Sequence, residues 1–240
     1  MAWHAKATGG YARTSTEAIE NASLLASALY NIGWCKKSVC ALLGNGAGES
    51  GLNPWRWQGD YIASSTELAT WTIEQLRQHG YGIFQFTPPT KYINSTNEVV
   101  YQSDGYSPNL SDSPGTAQDG NAQTVFFQDN VSQDWRPADL YGYYYDNFIN
   151  IGINISSWYY TNYQKFIAGT DNNDDDLTLY ELVGVFELNY ERPRDDYAAS
   201  SYQYRCDNAD YWMGIIPDPG PTPGNIPIWL LFKFNDWRFK

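Results

Sequence analysis

Residues 38–58 read SVCALLGNGAGESGLNPWRWQ. Val39, Leu42, Leu43 and Gly46 recur at helical spacing, so the first half of the stretch is predicted to be a helix with a buried stripe. At about 100° per residue, Glu49 falls almost directly beneath Leu42. An acid therefore sits on the stripe, in the last turn, where the helix dipole disfavours negative charge. Gly51 and Asn53-Pro54 stop the helix. Gly44, Gly46 and Gly48 each cost it about 1 kcal/mol relative to alanine. That cost implies close approach to the backbone, by another helix or by a ligand.

Upstream, Thr14 and Glu17 form a capping box. Ala18, Ala22, Leu25, Leu29 and Ile32 then mark one face of a helix that ends at Gly33 and should pack on the Glu49 helix. Downstream, residues 55–79 are Trp-rich, and TELATWTIEQLRQ suits a short helix. GYGIFQFTPPTKYI, 80–93, reads as a strand leaving a tight turn. Ser103 to Asn121 reads as a long surface loop, and the Tyr-rich stretch 139–168 as helical near its end. DNNDDD, 171–176, lacks the central glycine and closing glutamate of a calcium loop and reads as a solvated acidic loop. Thr178 and Glu181 box a helix with Leu179, Leu182, Val183 and Phe186 on one face, stopped by Pro193.

The 240 residues carry a net charge of −12 with no Lys/Arg cluster, which argues against nucleic acid or an anionic membrane as partner. The first residues lack an apolar core region, so no secretory signal is expected. The longest apolar run, 226–234, is too short to span a bilayer. Cys35, Cys40 and Cys206 are odd in number and lack metal-ligand spacing, which fits reduced thiols in a chain made in a cytoplasm. Abundant Tyr and Trp suit stacking on sugar rings, although most such rings fill cores.

A carboxyl group desolvated at the end of a buried helix face tends to keep its proton, as a general acid working near neutral pH must. Glycosidic cleavage is the reaction that most often uses such a group. On spacing alone, a local salt bridge or cap explains an acid here at least as well.

ALLGNGAGESGLNPWRWQ, GYGIFQFTPPTKYI, FELNYERP and ADYWM, with NIGWCKKSVC before the Glu helix and YQKFIAGT before the last, resemble the ordered motifs of the phage tail lysozyme family. These are virion-associated enzymes of the lysozyme superfamily that degrade cell walls. The resemblance covers most of 15–100 and 155–213, and about 101–150 reads as an insertion. By position it implies that Glu49 is the catalytic acid, followed by Ser50 as in the wider superfamily. Gln85 matches a glutamine lining the cleft, Tyr81 sits in the preceding turn, and Tyr190 lies where the superfamily places an aromatic near the acid. For Tyr81 and Tyr190, core packing competes evenly with substrate contact. Asp60 is the candidate second carboxylate, positioning a water, with a plain turn residue as the alternative. Related tail proteins often continue into a zinc endopeptidase domain. His4 and His79 both precede the Pro/Gly linker, so no metal and no other cofactor is expected.

The expected fold is α+β, mainly α: lysozyme-like, with a small β element beside the cleft. Residues 1–213 would form the catalytic domain, 214–225 a Pro/Gly linker and 226–240 an apolar-basic tail. That tail could fold back, touch a membrane or, the preferred expectation, dock into another virion protein. The expected function is a muramidase of the virion tail, cutting the β-1,4 glycan strand of peptidoglycan so that the tail penetrates the host wall. A lytic transglycosylase acting on the same bond, a tail structural protein without turnover and a glycan-binding module are the rivals.

Overall fold

Ser15, extended at φ −76° and ψ 151°, accepts a hydrogen bond from the Ala18 amide and starts helix α1, Thr16–Asn31. The cap is thus one residue beyond the expected Thr14, because Ser15 is the residue whose hydroxyl reaches a free amide of the first turn. Ala18, Ala22, Leu25 and Leu29 are buried as the periodicity requires, whereas Ile32 is exposed beyond the helix end. The computed structural model describes residues 2–6, 8–60, 79–86, 117–137, 141–193 and 195–220. The expected helix in the latter half of 55–79, residues 103–116 of the expected Ser103–Asn121 loop and the tail 226–240 fall outside these residues.

The protein is mainly helical. After α1 come α2, Lys36–Glu49; α3, Ala117–Asp134; α4, Tyr141–Asn150; α5, Tyr163–Ala168; α6, Leu179–Phe186; and α7, Asp195–Ile215. Helix α2 is the centre. Every residue from Ser38 to Ala47 is buried, so it has no solvent face, as befits a helix enclosed on all sides. It packs chiefly against α7 and α6, with α1 and α5 adding further contacts.

The glycines of α2 serve that packing. A Cβ on Gly44 would meet the Arg205 carbonyl oxygen of α7 at 2.5 Å and Ala209 Cβ at 2.8 Å, and one on Gly48 would meet Arg205 Cγ at 3.2 Å. Of the two alternatives left open by the sequence, Gly44 and Gly48 therefore answer to a neighbouring helix. Gly46 faces Leu52, at 3.0 Å.

Helices α3 and α4 contribute to the core. Phe127 of α3 stacks on Phe84 with centroids 4.2 Å apart and meets Tyr190 edge-on at 5.2 Å. Phe148 of α4 is fully buried against Tyr202 of α7. Buried Gln123 receives the Ile83 amide at 2.8 Å and donates to the Pro54 carbonyl at 2.6 Å. The sequence reading placed Asn121 and the preceding residues in a surface loop, but from Ala117 onward they are helix.

In the 80–93 segment the described residues make a turn rather than a strand. Tyr81 bridges to Trp57 and to Phe86, and these are isolated bridges. The capping box of Thr178 and Glu181 is present as expected. Asp171 closes the acidic loop on itself by accepting the Asn173 and Asp175 amides at 2.7 and 3.0 Å. At the far end, α7 continues to Ile215 and Ile216 is buried, so the helical body runs a few residues past the expected boundary at 213.

Candidate active site

Helix α2 ends at Glu49, and the next residues turn the chain sharply. Ser50 caps the helix, with its hydroxyl donating to the Gly46 carbonyl at 3.1 Å and to the Ile83 carbonyl at 2.8 Å. Gly51 and Leu52 follow in the left-handed region at φ 61° and 57°. Gly51 packs so closely on the N-terminal segment that a Cβ there would lie 2.5 Å from Gly10 Cα. The Tyr11 amide also bonds the Gly51 carbonyl at 3.1 Å. Asn53 ties the same loop to the Lys6 and Gly9 carbonyls. The turn after the acid is therefore fixed from both sides.

Glu49 emerges from the buried helix into a cleft of about 490 Å³ lined by Gln58, Phe84, Gln85, Glu191, Arg192, Pro193 and Tyr197. A smaller hollow of about 120 Å³ shares Phe84, Gln85, Glu191 and Arg192 and adds Phe86, Asp134 and Tyr190. Gln85 is held at φ 46°, an uncommon conformation for a residue with a side chain. Its amide donates to the Arg56 and Gly82 carbonyls at 3.0 and 2.9 Å. Such local strain persists only where the surroundings impose it, and it clusters at functional sites.

The structure thus brings Glu49 and Gln85 to one cleft and puts Tyr190 on the adjoining hollow. Ser50 is fully buried and holds the loop instead of facing the cleft. Tyr81 is also fully buried, its ring 4.5 Å from that of Trp57, which places it among the core residues. Asp60 closes the short 3₁₀ turn Gln58–Asp60, and its side chain lies outside the described residues.

The electrostatic setting of Glu49 was not foreseen from the sequence. Arg205 of α7 is completely buried and pairs with three carboxylates: Glu49 through Nη2, Glu191 through Nη1, and Glu187 through Nε at 3.1 Å. Asn45 Oδ1 accepts from Nη1 at 2.8 Å, and the Ser201 hydroxyl links Nε to Glu187. Glu187 and Glu191 come from one π-helical turn, Glu187–Glu191, closed by the Arg192 amide on the Glu187 carbonyl at 2.8 Å. That wider turn sets both glutamates towards α7.

One guanidinium faces three carboxyls, so full ionisation would leave the cluster at −2. Burial pushes Glu187 up to about 7, against the lowering effect of Arg205 and Ser201 and with a further raise from Glu49. Burial likewise raises Glu191 well above the usual carboxylate range, opposed by Arg205 and reinforced by Glu49 and Glu187. For Arg205, burial works against its charge, but Glu191, Glu187 and Glu49 more than offset this and hold it protonated. Among the described residues, two buried oxygens of the cluster, Glu187 Oε2 and Glu191 Oε1, meet no hydrogen-bond partner. Glu49 is the outermost of the three, with its side chain 19% exposed. The sequence signal for this cluster was faint: two glutamates four apart in FELNYERP, and a lone arginine in SYQYRCDNADYW.

Among the described residues, no group of His, Cys, Asp or Glu is arranged to hold a metal ion, and no helix is long and apolar enough to cross a membrane. The three cysteines are free thiols, and burial pushes Cys40 up to about 12.

"Morphogenesis protein 1" of Bacillus phage B103 is 24% identical over 202 residues, 84% of this chain and 40% of that protein. The chain therefore spans about two-fifths of the relative's length. The sequence profile of the phage tail lysozymes matches residues 20–216. That range runs from within α1 to the buried Ile216 and takes in the whole Glu49–Arg205 cluster; this chain belongs to the phage tail lysozyme family.

Proposed function

We propose that the protein is a muramidase carried in the phage virion, with a lysozyme-like fold, that cleaves the β-1,4 glycan strand of peptidoglycan. The observation that carries this reading is the position of Glu49, which ends a buried helix and opens onto a cleft shared with Gln85. Only Oε1 of Glu49 is engaged among the described residues, by Arg205, which leaves Oε2 for a substrate oxygen.

On this reading, Glu49 protonates the glycosidic oxygen as the bond breaks. The positive charge that develops on the sugar ring is then met by a water or by the substrate's own N-acetyl oxygen. Gln85 and Tyr190 contact the glycan, while Ser50 and Tyr81 hold the two loops that shape the cleft. Asp60, in the turn beside cleft-lining Gln58, positions the water. A lytic transglycosylase would use the same acid but close an anhydro ring instead of adding water. The tail 226–240 would dock the enzyme to another protein of the phage tail through the Pro/Gly linker.

Mass spectrometry of the fragments released from purified peptidoglycan tests the proposal. Hydrolysis should give reducing-end muropeptides one water heavier than anhydro products. Anhydro ends would point to the transglycosylase, and no released glycan fragments would exclude both.

A further inference from the structure

Among the described residues that line the Glu49 cleft, Arg192 is the sole basic one, and it borders the smaller hollow as well. Its backbone is fixed on both sides. Arg192 closes the π-helical turn in the left-handed region, at φ 49° and ψ 57°, with its amide on the Glu187 carbonyl at 2.8 Å. The next carbonyl, that of Pro193, accepts from the Tyr144 hydroxyl of α4 at 2.7 Å. Glycine or asparagine closes such a turn at least cost. An arginine held there is explained by what its side chain does.

The charge of Arg192 is not neutralised inside the protein. Glu49 and Glu191, the acids that share the cleft, are both bonded to Arg205. Burial raises Glu187 and Glu191, so Glu49 is the carboxylate that chiefly balances Arg205. Asp134 borders the smaller hollow but not the cleft. Among the described residues, Arg192 makes no ion pair.

We propose that Arg192 binds a carboxylate carried by the muramyl sugars of the strand, and so makes the cleft select an acidic glycan over a neutral one of the same backbone. This rests on the glycan-cleaving reading of Glu49 and adds the residue that recognises the substrate's charge. A planar guanidinium takes a carboxylate through two parallel N–H donors, which fixes orientation as well as affinity. Between Phe84, Pro193 and Tyr197 that attraction is screened less than on an open surface. The net charge of −12 repels an acidic strand overall, so a cation in the cleft is what offsets it locally. The carboxylate has two sources: the lactyl group of a sugar without peptide, and the stem peptide of a sugar that carries one.

The test compares Arg192→Gln and Arg192→Lys with the wild type on three soluble strands of equal length. One keeps its stem peptides, one is stripped so that its lactyl carboxylates are free, and one has those carboxylates converted to amides. KM and kcat are read for each, with dissociation constants from calorimetry in the Glu49→Gln background. Arg192→Gln should raise KM and Kd about ten-fold on at least one carboxylate-bearing strand, with kcat within about two-fold. A loss on the peptide-bearing strand assigns the contact to the peptide, and a loss on the stripped strand assigns it to the lactyl group. Arg192→Lys should recover part of the loss, because it restores the charge without the fork. On the amide strand the three proteins should bind alike. Unchanged constants on both charged strands, or an equal loss on the amide strand, would overturn the proposal. If the wild type cuts none of the strands, the muramidase reading falls, and the calorimetric constants still decide whether Arg192 holds a carboxylate.

Discussion

Arg205 is the residue on which the site turns, and Glu187 shows how finely its charge is balanced. The folded protein pushes Glu187 up to about 7 from an ordinary carboxyl value, mainly by burial. A raised folded-state value means that the native state binds the extra proton. The stabilisation is therefore complete below about pH 4.5 and lost as pH rises through about 7. Glu187→Gln keeps an acceptor for Arg205 Nε and Ser201 but cannot ionise. Urea unfolding at several pH values should show the variant gaining on the wild type between pH 4.5 and 7, by about 3 kcal/mol at most. A gap that does not change with pH would contradict this. Glu49 was legible in the sequence because its helical register and its motif both pointed to it. Arg205 was not, because it meets Glu49 across 156 residues and ion pairing at that separation leaves no local pattern.

The decisive contact between elements is that of α2 on α7, and it depends on Gly44. Alanine there would gain about 1 kcal/mol of helix propensity. It would also drive a methyl group to 2.5 Å from the Arg205 carbonyl oxygen, which is backbone and yields little. Gly44→Ala should therefore destabilise the protein by about 1–3 kcal/mol net. Gly142 of α4 is the matched control: nothing among the described residues lies within 4 Å of its Cβ position, so Gly142→Ala should be neutral or stabilising. Equal effects in the two variants would mean that α2 and α7 can separate without loss. Helices α1, α2 and α6 were readable from apolar periodicity and, for α6, a capping box. Helix α3 was harder to see, since AQDGNAQTVFFQDNVSQD is mostly polar and its buried Phe126, Phe127 and Val131 follow a Ser/Asp/Gly-rich stretch. The strand expected after Gly80 gave way to a turn because Ser50 and Gln123 take both the carbonyl and the amide of Ile83.

At the scale of the whole molecule, the helical body closes at its far end through Ile216, 1% exposed, and through Tyr30 donating to the Pro217 carbonyl at 3.0 Å. A chain ending at Gly220 should keep the wild-type thermal midpoint. One ending at Met213 loses Ile216 and should melt roughly 5–15 °C lower. Unfolding of the Gly220-terminated chain would mean that residues 221–240 belong to the core, against a docking role for the tail. The central claim is that all this packing presents one acid to a glycan. Helices α2 and α7 and the π turn converge on Glu49, the outermost carboxyl of the Arg205 cluster. Its most direct test is the rate of glycan cleavage by Glu49→Gln beside the wild type, on the same purified peptidoglycan. Gln can still accept from Arg205, so the fold and thermal midpoint should persist while the rate falls by at least about 10²–10⁴. A folded Glu49→Gln variant that cleaves within a few-fold of the wild-type rate would contradict the assignment of Glu49 as the acid.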